Sequence, residues 1–91
     1  MKTDTSDLCL KRLTKIEGQV RGIARMIEEE RYCIDVITQI SAVRAALRKV
    51  EDAVLSDHVS HCVEHAIASG NKQDQRAKIS ELIEVLGRSS R

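Results

Sequence analysis

Residues 36–54, VITQISAVRAALRKVEDAV, decide the fold. Apolar side chains fall at Val36, Ile40, Val43, Leu47, Val50 and Val54, in steps of four and three that repeat without a lapse. That period lines all six along one face of an α-helix, whereas a strand would need steps of two. Reading outward, the pattern reaches back to residue 32. It runs forward through SDHVSHCVEH (56–65) to Ser69-Gly70-Asn71, where Gly70 suits the left-handed position that closes a helix. The helix predicted over 32–68 is on the order of 50 Å long at 1.5 Å per residue.

Upstream, Leu13, Ile16, Val20, Ile23 and Ile27 repeat the same spacing, with Thr5 or Ser6 as N-cap. A helix is predicted over 6–30, ended by the acidic run Glu28–Glu30. Downstream, Ile79, Leu82, Ile83 and Leu86 mark a shorter helix over 73–87, stopping at Gly87. With no Pro, no Phe, no Trp and one Tyr, the core must come from aliphatic residues, and the chain reads as all-α. It is expected to form one domain, 1–91, without repeats, low-complexity segments or linkers. The first and third helices cannot both cover a helix of that length within one subunit. Its seam is therefore expected to be shared with a second copy, which also relieves the marginal core of so small a chain.

Cys9, Cys33 and Cys62 make an odd number, which argues against a disulfide framework. No apolar run of signal-peptide type opens the sequence and none reaches transmembrane length, so a reducing cytoplasm and no membrane partner are expected. Fifteen Lys and Arg nearly balance fourteen Asp and Glu. The distribution is less even: five bases against one acid lie between Cys9 and Ile27, and Arg44, Arg48 and Lys49 cluster later.

On an ideal helix His58 and Cys62 lie one turn apart, and Cys33 shares their direction within an arc of roughly 40°. Yet Cys33 stands about 37 Å away along a straight helix. Two such helices packed antiparallel about a two-fold axis near Leu47 would set Cys33 of one chain level with His58 and Cys62 of the other, twice per dimer. Two thiolates and one imidazole suit Cu(I); Zn(II) needs a fourth ligand and Ni(II) more nitrogen. The alternative is structural: buried cysteines acting as small hydrophobes, with His58 a polar seam residue.

The run from Lys11 to Ile67, KRLTKIEGQVRGIARMIEEERYCIDVITQISAVRAALRKVEDAVLSDHVSHCVEHAI, closely resembles the copper-sensitive operon repressor (CsoR) family of small helical bacterial repressors. The signals are EGQVRGI, YCIDVITQISAV and the Cys33, His58 and Cys62 positions. The resemblance implies an antiparallel helical dimer that pairs into a disc-like tetramer. It also implies operator binding without metal and release of DNA when effector binds. Copper sensors of the family carry Cys, His and Cys as here. Nickel and cobalt sensors have His at the last position, persulfide sensors lack the His, and formaldehyde sensors lack the second Cys. Resemblance further assigns Tyr32, and Glu81 on the third helix, as groups that support the ligands. About one Cu(I) per subunit is implied, with persulfide, nickel or zinc sensing as the alternatives.

Lys11, Arg12, Lys15, Arg21 and Arg25 fan across helix one opposite its seam, which by itself could be a solvated surface. The family uses the basic positions of helices one and two for operator double-stranded DNA, so Arg12, Lys15, Arg21, Arg44, Arg48 and Lys49 are the expected contacts. With no helix-turn-helix signature, recognition should lean on phosphates and DNA shape. His61 and His65 form a further i, i+4 pair that the family does not use, and Cys9 extends the first seam as a core residue. No phosphate-cradling glycine loop or nucleophile-base pair is present, so no enzyme is expected.

Overall fold

The structure, a computed structural model, describes residues 1–89, with the side chain of Ser89 left aside. Among these residues there is helix but no strand: α1 spans Thr3–Glu28, α2 Cys33–His58, α3 Glu64–Ser69 and α4 Lys72–Ser89. A π-helical turn, Val59–Val63, joins α2 to α3, so helical residues run without a gap from 33 to 69. The three expected helices are thus present, with shifted ends. Helix α1 starts three residues before the predicted position, with Lys2 rather than Thr5 or Ser6 at its cap, and α4 runs past Gly87. No helix among the described residues is long and apolar enough to cross a membrane.

The chain divides into two compact units, 1–55 and 56–91. In the first, α1 and the α2 residues up to 55 form a helical hairpin. Its core is Cys9, Ile16, Val43 and Val50, with Ile23, Ala46 and Ala53 packed around it. Cys9 is 5% exposed, as its place in the seam predicted. Only half of each seam is used in this way. Leu13, Val20 and Ile27 on α1, and Ile40, Leu47 and Val54 on α2, remain 36–60% exposed. A single chain therefore leaves a long apolar stripe part-exposed, and covering what remains of each such side chain is worth roughly 0.5–2 kcal/mol.

The hairpin turn is made without glycine. The Arg31 N–H donates to the Met26 carbonyl at 2.9 Å and the Glu30 N–H to the Ile27 carbonyl at 3.1 Å, the paired bonds of a Schellman closure. Glu30 takes the left-handed position, with φ 55°. An L-residue there costs about 1–2 kcal/mol relative to the right-handed helix, and glycine would avoid it. Glu30→Gly is therefore expected to stabilise the chain by roughly 1 kcal/mol after the entropy of glycine is counted. Urea unfolding at fixed protein concentration checks this, and a lower midpoint would show that the Glu30 side chain contributes more than its backbone loses.

In the second unit, α4 packs against the π-turn and α3. Gly70 closes α3 at φ 71°, as the sequence predicted. Asn71 then caps α4, its Oδ1 accepting from the Asp74 N–H at 3.0 Å. The Gln75 side chain donates back to the Ile67 carbonyl at 3.3 Å and ties the two helices across the turn.

Candidate functional site

Cys33 opens α2, while His58 ends it and Cys62 lies within the π-turn. Cys33 and Tyr32 belong to the first unit; His58, Cys62 and Glu81 belong to the second. Both thiols are free and exposed, so within one chain neither acts as the buried hydrophobe of the structural alternative. His58 is half-buried and its side chain makes no hydrogen bond among the described residues, which leaves both ring nitrogens for other partners. These donors, two soft sulfurs and one imidazole, fit a soft ion of low coordination number. Among the described residues, no group of three or more His, Cys, Asp or Glu side chains could hold a metal within the chain.

Between His58 and Cys62 the backbone forms a π-helical turn, Val59–Val63, which the apolar spacing did not foresee. Such turns arise where one residue more than the α-helix accommodates is inserted, and they concentrate at functional positions. Glu81 is exposed and ion-paired with Lys78 on its own helix at 3.9 Å. Tyr32 is 69% exposed, and its carbonyl accepts from the Asp35 and Val36 N–H groups at the start of α2. His61 faces Asp57, with Nε2 3.8 Å from a carboxylate oxygen and otherwise unpartnered. His65 is exposed.

The six basic residues expected at DNA lie on the first unit. Arg12, Lys15 and Lys49 line a groove of about 420 Å³ between α1 and α2, floored by Ala42, Ala45 and Ala46. Arg44 and Arg48 flank a smaller groove, about 310 Å³, on the other side of Ala45. These five cations make no ion pair or hydrogen bond among the described residues, so their charge is available to a ligand. Arg21 differs, since its guanidinium meets Glu17 at 3.4 Å, one turn back. That exposed pair is weak, worth about 0.3–0.5 kcal/mol, and a phosphate would readily displace it.

One residue of the larger groove was missed by the sequence reading. Gln19 lines it, and its Oε1 is sealed from solvent without a hydrogen-bond partner. Leaving an acceptor in that state costs about 1–3 kcal/mol. The only signal in the sequence was a polar residue beside the Ile16 and Ile23 stripe.

Comparison with known proteins places the chain in context. The family model described as "Metal-sensitive transcriptional repressor" matches residues 5–88. The copper-sensing transcriptional repressor RicR of Mycobacterium tuberculosis is 62% identical over 68 residues, 75% of this chain and 71% of that protein. Among solved structures, the copper-sensing repressor CsoR with Cu(I) from Geobacillus thermodenitrificans is 41% identical, with a TM-score of 0.89 over 100% of this chain and 92% of that one. The nickel-responsive transcriptional regulator InrS is 39% identical, with a TM-score of 0.77 over 90% and 89%. The family consists of repressors and not enzymes, in agreement with the lack of catalytic motifs in the sequence. With the family model leaving out only a few residues at either end, and with relatives this similar in sequence and in fold, the chain belongs to the metal-sensitive transcriptional repressors, the CsoR family that its EGQVRGI and YCIDVITQISAV motifs resemble.

Proposed function

We propose that this protein is a cytoplasmic copper(I)-sensing repressor. In the apo state it holds operator DNA; on taking up about one Cu(I) per subunit it lets go, and copper-resistance or efflux genes are expressed. Cys33 of one chain and His58 and Cys62 of its neighbour supply the ligands in an antiparallel dimer, which pairs into a disc-like tetramer. Residues 1–91 act together as one sensing and DNA-binding domain. Tyr32 and Glu81 support His58, and Arg12, Lys15, Arg21, Arg44, Arg48 and Lys49 meet phosphates.

The observation that carries this reading is the donor set: two exposed free thiols and an imidazole with both nitrogens unbonded. A nickel or zinc sensor would want a further nitrogen or a fourth ligand. The similarity to copper-sensing RicR and CsoR supports the choice. The half-exposed stripe from Leu13 to Ile27 and from Ile40 to Val54 gives a second copy something to cover. The two exposed thiols favour one further reading, a sulfur-bridging sensor in which Cys33 and Cys62 of neighbouring chains react with persulfide. His58 separates the two, because a metal uses its nitrogen and a sulfur bridge does not.

A gel shift with the DNA upstream of the protein's own gene tests the proposal. The apo-protein is expected to retard that duplex, and stoichiometric Cu(I) under anaerobic conditions to release it. Release by polysulfide but not by Cu(I) would transfer the sensor to the thiol class, and no retardation in any state would remove the repressor reading.

A further inference from the structure

The groove between α1 and α2 holds more than its cations. Gln19 lines it together with Arg12, Lys15 and Lys49, and the carboxamide is unevenly placed. Its Oε1 is sealed and unpartnered, whereas Nε2 is neither sealed nor hydrogen-bonded. The polar atom presented to the groove is thus a donor, and so is every other charged group lining it. Three cations and an amide N–H over an alanine floor are complementary to an anionic oxygen ligand and repel a cation.

We infer that Gln19 is a DNA-contacting residue that donates a hydrogen bond to a backbone phosphate of duplex DNA seated in this groove, a proposal that rests on the repressor reading above. A phosphate oxygen is acceptor-only, matching the donors on offer. The alanines at 42, 45 and 46 leave the depth that larger side chains would fill. The sealed Oε1 is the second sign. An acceptor held without a partner weakens the fold, and an apolar side chain of similar length would serve the α1–α2 packing better. A polar residue that weakens the fold at a cationic groove is placed for its ligand, since stability and function commonly diverge at such positions.

Two properties distinguish Gln19 from its neighbours. It carries no charge, so its bond to phosphate releases no counterion, while each Lys or Arg contact adds about one to the salt slope of binding. It also acts against stability, so its removal should strengthen the fold.

The test uses the full chain and two duplexes, one from upstream of its own gene and one of random sequence. Gln19→Met is expected to lower affinity for both by roughly tenfold for each subunit on DNA, the worth of one hydrogen bond to a charged acceptor per subunit. The slope of log affinity against log salt should stay unchanged and the unfolding temperature should rise, by about 4–8 °C on the scale of so small a domain. Lys49→Gln should lower the slope by about one for each subunit on DNA. Gln19→Glu, which sets a carboxylate against phosphate, should weaken binding further. Affinities of Gln19→Met within twofold of wild type would make Gln19 a packing residue and overturn the proposal, as would a salt slope that falls with its affinity. Millimolar inorganic phosphate that raises the unfolding temperature of wild type but not of Gln19→Met, with DNA binding equal in both, would assign the groove to a free anion instead. A wild-type protein that ignores both duplexes overturns the repressor reading itself, and this inference with it.

Discussion

Mixed one to one, Cys33→Ala and Cys62→Ala subunits are expected to recover about one quarter of the wild-type Cu(I) sites, although neither variant alone binds tightly. The fraction follows from the symmetry of an isologous dimer. Random exchange makes half the dimers mixed, and each mixed dimer has one site lacking both substituted thiols and one site lacking neither. Alone, each variant should bind at least about 100-fold more weakly, since a lost ligand exceeds the 10–100-fold effect of a group that merely supports one. The thiolate-to-copper absorption band reports the recovered sites. Affinity in wild type and in mixed dimers should fall together as pH drops, because protons compete with the metal for the same sulfurs and nitrogen. A ligand set contained within one chain predicts no recovery at any mixing ratio, and that outcome would sink the intersubunit site while leaving the family assignment untouched.

Copper and operator are expected to weaken each other's binding by the same factor, between about 5- and 150-fold. Reciprocity is the stringent part, because linkage demands it for equilibrium affinities measured on the same oligomer at the same salt. The chain's own residues suggest the route. His58 and Cys62 bracket most of the π-turn, and α4 packs directly on that turn. Ligation that draws the two side chains together would bear on a segment whose backbone departs from α-helix. In the proposed site one nitrogen of His58 would serve as ligand, leaving the other to donate to a neighbouring group such as Tyr32 or Glu81. Glu81 would have to leave Lys78 to accept that bond, a small demand for an exposed pair at 3.9 Å. Replacing His58 with a ring-methylated histidine that blocks only the second nitrogen should keep copper affinity within about threefold and abolish most of the coupling, if outer hydrogen bonds orient the ring. A methylated protein that still leaves DNA with the full wild-type factor would exclude the relay through His58.

Much of the architecture was legible because it rests on local rules. The four-three spacing from Val36 to Val54 specifies a helix whatever surrounds it, and Gly70 adopts the left-handed closure that few other residues tolerate. The hairpin turn was less legible for the same reason inverted. Glu30 occupies a position where sequence rules expect glycine, so the break could be placed only through the acidic run around it. The π-turn left no trace in the periodicity, since one displaced residue over a single turn is lost among apolar steps that already alternate between three and four.

The sequence by itself determined an all-helical chain, the placement of Cys33, His58 and Cys62 near the ends of one helical run, and the membership that those motifs announce. Tertiary structure decided which half of each apolar seam a single chain covers. Cys9 and Ile16 close on Val43 and Val50, while Leu13 and Leu47 stay open. Spacing alone treats the residues of a seam as equivalent, because it records angle about one helix and not the distance to another. The same limit hid Gln19. Lys15 and Arg12 stand one and two turns before it on α1, but its sealed oxygen and its neighbour Lys49 exist only where α1 meets α2, and burial of a polar atom is a property of the pair of surfaces, not of either sequence.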